Sequence, residues 1–223
     1  MRSAVLLFGV VFLAFLAVEV GPLYVTDRFR DLREPTAPER AALDALRREA
    51  GLGVDRVAIV RTGAADSITV AVKGPPRRRV AFVTDTILKD IEEDVALGLI
   101  AAEAGRVATY YREFLAVAVA AVVGILAAIV TTLVGFEAGF LSLVAVGVAS
   151  FWVGRRVQYA ADARAADAVG AACVANAFER VADRQGVEPE TGDWSTWFEV
   201  QPPLGDRIAA LRRRADAAAD GAE

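Results

Sequence analysis

Two apolar blocks in the middle of the chain, Phe114–Phe136 and Ala138–Gly154, limit its fold more than any other feature. The first is long enough to cross a bilayer as a helix, which takes roughly 20 residues. The second is shorter and would span with little spare length. The connection between them is tiny and contains Glu137, so the pair reads as a membrane hairpin. A third apolar run, Ala4–Val25, is broken only by Glu19. An uncleaved anchor and a cleaved signal peptide compete for this run. Its length exceeds the usual apolar core of a signal peptide, and only Arg2 precedes it, which favours the anchor. Glu19 would then lie near the interface. The expectation is about three transmembrane helices.

Arginine placement orients them. Arg28, Arg30 and Arg33 follow the first run, and Arg155 and Arg156 follow the third block. Positive charge is enriched on the cytoplasmic side. The N-terminus is therefore expected outside, with Thr26–Glu113 inside and the rest returned to that side by the hairpin. The expected organisation is an anchor (1–25), the first part of a cytoplasmic domain (26–113), the hairpin (114–154) and the second part of that domain (155–223). The expected location is the cell membrane, as a multi-pass protein.

The cytoplasmic segments mix helix and strand. Thr26–Pro35 reads as a polar connector. Thr36-Ala37-Pro38-Glu39 reads as a helix start, with Thr36 as cap, Pro38 in the first turn and Glu39 reaching back. Leu43, Leu46 and Ala50 give that helix an apolar side, and Gly51 and Gly53 end it. Asp55–Arg61, Ser67–Lys73 and Arg79–Thr84 read as strands, with turns at Gly63–Asp66 and Gly74–Pro76 and a meander as the simplest sheet. Thr84 or Asp85 can cap a short helix, Thr86–Ile91, ahead of a longer one over Glu92–Tyr111. Tyr159–Arg184 is alanine-rich and helical in pattern, Gly186–Asp193 a loop, and the last helix covers Pro203–Ala219.

Composition removes whole classes of chemistry. There is no histidine, which excludes histidine triads, general bases and metal ligands together. The single cysteine, Cys173, permits neither an intrachain disulfide nor a cysteine-rich zinc site and reads as a small packed hydrophobe. With 25 basic and 29 acidic residues, no strongly basic nucleic-acid surface is implied. No phosphate-binding glycine loop is present. Trp194 and Trp197 read as packing or membrane-surface residues, and Tyr110 and Tyr111 as interfacial aromatics. Arg77–Arg79 reads as a solvated basic turn that can touch anionic lipid.

Within Glu92–Tyr111, Ala102-Glu103-Ala104-Gly105-Arg106 has the outline of H-E-x-x-H with both histidines gone. In the intact motif two imidazoles one turn apart hold zinc, and the glutamate activates the metal-bound water. Ala102 cannot coordinate, and Arg106 puts a permanent positive charge at the second ligand position. On these five residues alone, Glu103 reads as exposed or as pairing with Arg106 three residues on.

The order of surrounding motifs adds a resemblance. Val80–Arg106 (VAFVTDTILKDIEEDVALGLIAAEAGR), the hairpin, RRVQYAAD (Arg155–Asp162) and QPPLGDRI (Gln201–Ile208) follow one another as they do in the HtpX-like and CAAX-prenyl-protease-like membrane zinc metallopeptidases. The chain resembles that family from about Thr36 to Leu211. The resemblance implies an α+β integral membrane protein: a mainly helical, zincin-type domain with a small antiparallel or mixed sheet. It makes Glu103, Asp162 and Arg207 retained site positions, and Ala102, Arg106 and Gln158 vacated zinc-ligand positions. A late family histidine is Gln201, and the family's edge-strand asparagine is not evident around Ser67–Val72. Asp162 would orient a zinc-bound histidine and here has none. No cofactor is expected, since zinc lacks its three protein ligands.

The resemblance implies a catalytically inactive homologue with a binding or regulatory role in membrane-protein quality control. Its partners would be the bilayer and either membrane-protein segments or an active protease. Two alternatives stay open. One is an enzyme using Glu103, Asp162 and Gln158 as oxygen ligands, a set suited to magnesium or calcium. The other is a structural membrane protein with no peptidase-related role. Arg106 also has two readings: pairing with Glu103 or Asp162 in place of the metal, or pointing into solvent.

Overall fold

The computed structural model describes residues 9–11, 13, 32–61, 68–186 and 201–221. Most of the first apolar run, the turn Gly63–Asp66, most of the loop Gly186–Asp193, Trp194 and Trp197 lie outside these residues. The elements in chain order are β1 (Leu32–Arg33), α1 (Ala37–Glu49), β2 (Arg56–Val60), β3 (Val70–Lys73), β4 (Val80–Thr84), α2 (Asp85–Lys89), α3 (Glu93–Ala108), α4 (Tyr111–Val130), α5 (Phe136–Val169), α6 (Ala171–Gln185) and α7 (Leu204–Asp220). The described fold is mostly helical with a small mixed sheet.

The start of α1 follows its sequence. Glu39 accepts hydrogen bonds from the Thr36 amide at 2.8 Å and the Thr36 hydroxyl at 2.9 Å. Arg33, on β1, donates both terminal nitrogens to the same carboxylate at 2.6 Å. That fork and the Thr36 amide hold the Glu39 carboxyl down at about 2. A two-residue strand thus lies within the expected connector, pinned to the helix that follows it.

The sheet order is β1-β2-β4-β3, which is not a meander. β4 lies between β2, to which it is parallel, and β3, to which it is antiparallel. The reason is burial. Ala81, Phe82, Val83 and Thr84 are all buried, so β4 needs cover on both faces and takes the centre. Ala81 and Val83 join the main core with Leu43, Ile87 and Ile100, while Phe82 packs on the other face with Ala58 and Val60. Among the described residues β3 is left as an edge.

The motif helix α3 is the hub, packed against α5 and α6. Its small residues allow close approach. A Cβ at Gly105 would collide with the carbonyl oxygen of Ala161 on α5. One at Gly98 would lie 2.8 Å from the carbonyl oxygen of Cys173 and 2.6 Å from the Cβ of Ala177, both on α6. The Cys173 thiol donates to the Asp94 carbonyl at 3.4 Å, and burial raises its pKa. This close packing explains the alanine and glycine content of α3 better than helix propensity does.

Among the described residues, two helices are long and apolar enough to cross a membrane, α4 and α5. They expose Val117, Leu126, Val130, Phe140, Leu141, Val148 and Trp152, an apolar surface suited to lipid. Where the apolar part of α5 ends, the Arg155 and Arg156 guanidiniums stack over Phe151 and Trp152, at 5.0 and 4.1 Å from the ring centroids. The helix does not stop at the expected boundary between 154 and 155. It continues to Val169, carrying RRVQYAAD on the same rod as the apolar block. Gly170, at φ 89°, breaks it before α6.

Candidate functional site

Three elements place the expected site residues around one centre. α3 supplies Ala102, Glu103 and Arg106, α5 supplies Gln158 and Asp162, and α7 supplies Arg207. The contact of Gly105 with Ala161 brings the two motif-bearing helices together at this level. Ala102, which the resemblance reads as a vacated ligand position, is buried in the main hydrophobic core and serves packing.

The polar residues form two groups. In the first, Arg207 holds Asp162 by a fork: Nε donates to Oδ2 at 2.8 Å and Nη2 to Oδ1 at 2.7 Å. Both side chains are almost fully buried, at 4% and 5% exposure. The Arg207 guanidinium also lies over the Phe178 ring, 4.5 Å from its centroid, so it joins α5, α6 and α7. Gln158 is fully buried and donates from Nε2 to Asp162 Oδ1 at 3.1 Å. Its Oε1 has no hydrogen-bond partner.

In the second group, Arg106 Nη1 donates to Glu103 Oε1 at 2.6 Å, one turn back on the same helix. The other carboxylate oxygen, Oε2, accepts from the main-chain amide of Val72 on β3 at 3.3 Å. Glu103 is buried, while Arg106 keeps 26% of its side chain exposed. Arg106 therefore pairs with Glu103 and not with Asp162. Among the described residues no hydrogen bond joins the two groups.

Two further residues belong to this centre and escaped the sequence reading. Tyr111, expected at the membrane interface, is buried and lies within electrostatic reach of Arg106, Arg207 and Asp162. Tyr110, its neighbour, is the exposed one: it sits at φ 53° between α3 and α4, under the Arg79 guanidinium. This left-handed kink turns Tyr111 inward. Val72 is the other; nothing in its residue type marks it, because its role is played by its amide.

The donor chemistry does not fit zinc. Ala102 offers no lone pair, and Arg106 is a permanent cation bound to the motif glutamate. Gln158 offers one amide oxygen, and Asp162 has both carboxylate oxygens engaged by Arg207. Among the described residues no three histidine, cysteine or carboxylate side chains cluster as a metal site.

No known protein-family profile matches the sequence, and no curated protein matches it. The fold is similar to the crystal structure of Ste24p from S. mikatae, with a TM-score of 0.68 at 14% identity. The similarity covers 90% of this chain and 55% of Ste24p, so the chain spans about half the length of that protein. At this identity the likeness is one of fold alone.

Proposed function

We propose that the chain is a membrane-bound, peptidase-like protein that binds extended peptide segments without cleaving them. Ste24p is a CAAX prenyl protease of the HtpX-like superfamily, the same group that the ordered motifs of this sequence resemble. The observation that carries the reading is the Arg106–Glu103 ion pair. A metallopeptidase needs Glu103 free to take a proton from metal-bound water. Here its two oxygens are engaged by a guanidinium and a main-chain amide. The sheet edge beside α3 supplies the remaining function, since an edge strand can receive an extended peptide by main-chain hydrogen bonding. The partners of this reading are membrane-protein segments or an active protease, met at the bilayer in a quality-control or regulatory role.

The test is metal analysis of the purified full chain together with a casein-type digestion. The expected result is no stoichiometric zinc and no cleavage. Stoichiometric zinc with proteolysis would overturn the proposal. The variant Ala102→His, Arg106→His and Gln158→Glu restores the three family ligands on this scaffold and is expected to gain one zinc per chain.

A further inference from the structure

Among the described residues β3 is the last strand in its sheet, and its hydrogen-bonding directions are fixed by its partner. The Thr84 amide donates to the Thr69 carbonyl at 3.1 Å, and the Thr69 amide donates to the Thr84 hydroxyl at 3.1 Å. Antiparallel pairing alternates. The peptide groups of Thr69, Ala71 and Lys73 therefore face β4, and those of Val70 and Val72 face the free edge. The strand is only four residues long, so Val70 and Val72 supply its two outward amides. One of them, Val72, is the amide that Glu103 holds. The Val72 side chain is buried in the main core at 1% exposure, so the strand cannot roll to present another amide.

We propose that Glu103 is a latch on this edge. In the resting protein its carboxylate occupies the place of an added strand's carbonyl at Val72. Arg106 keeps the latch in position by holding the second oxygen. A peptide adding to β3 must displace Glu103 to complete its hydrogen bonds. The inference rests on the peptide-binding reading above and adds the regulation of that site: the edge opens only when the carboxylate lets go. The helix that would carry zinc chemistry in a peptidase carries an autoinhibitory contact here.

The experiment uses the full chain in detergent micelles and a fluorescein-labelled hexapeptide, Thr-Val-Thr-Val-Thr-Val, followed by anisotropy. Glu103→Ala is expected to bind about tenfold more tightly than the wild type, the scale of one hydrogen bond to a charged group. Glu103→Gln, which keeps the volume but loses the ion pair, is expected to fall between the two. Equal affinity of wild type and both variants would overturn the latch and leave the peptide-binding reading standing. Absence of binding in all three would overturn that reading and the latch with it. Should the alanine variant not melt cooperatively, amide exchange at Val72 carries the test. It is expected to be slow in the wild type and several-fold faster in Glu103→Gln; unchanged exchange would overturn the latch.

Discussion

The two arginine–carboxylate pairs at the centre use the same chemistry for different ends. Asp162–Arg207 joins α5 to α7, is a two-point fork and is almost fully buried. Glu103–Arg106 lies within α3, is a single contact and leaves the arginine partly exposed. The first ties elements together, and removing either member strands a buried charge. The second adds little to cohesion, because an i, i+3 pair joins residues that the helix already holds together. What it does is position a carboxylate against the sheet edge. The polar centre is thus divided, with one half serving packing and the other facing the sheet edge.

The largest effect that tests this contrast is at the buried pair. Arg207→Ala is expected to cost about 3–5 kcal/mol of stability, read as the melting transition in detergent. Replacing both Asp162 and Arg207 with leucine should cost less than the sum of the two single changes, since no charge is left alone. Additive losses would mean that the two do not act as a pair.

Gly105→Ala comes next. Its Cβ would meet the Ala161 carbonyl, and pushing α3 from α5 is expected to cost on the order of 1–3 kcal/mol. Because that contact sets the level at which both pairs sit, the variant should also speed amide exchange at Val72. A change in stability with unaltered exchange would separate the helix contact from the latch.

Arg106→Ala is expected to cost about 1 kcal/mol or less, as partly exposed pairs do. A loss matching that of Arg207→Ala would erase the distinction between the two pairs. The smallest effect is expected at the partly exposed pair Arg33–Glu39, a useful control. The folded carboxyl, at about 2, lies below its ordinary 4.5. Its contribution is therefore full above about pH 4.5 and is lost as pH falls toward about 2. Melting curves across that range should be flatter in Glu39→Gln than in the wild type by a small margin, since solvent screens the pair.

Much of this was legible in the residues. Thr36-Ala-Pro-Glu39 announced a helix start, and Glu39 does reach back to Thr36. The two long apolar helices were legible because apolar length is a local property, but their connection was misplaced. It falls at residues 131–135, and the expected turn residue Glu137 lies in the first turn of α5, where a carboxylate suits a helix N-terminus. The sheet order was not, because strand periodicity says which residues share a face and nothing about which strand is central. β1 was missed because two residues carry no period. The continuity of α5 was hidden by its change from apolar to charged composition at Arg155, which alters the surroundings of a helix without ending it.

The sequence by itself determined the chemistry that is excluded. With no histidine in the chain, histidine ligands and histidine bases are excluded by residue identity alone. It also offered two partners for Arg106, Glu103 and Asp162. Only the tertiary structure decided between them, by giving Asp162 to Arg207 from an element some 45 residues downstream. Only the structure, too, set Glu103 against the amide of Val72. A main-chain amide is the same in every residue but proline, so its direction is fixed by strand order and pairing and leaves no trace in the residue type.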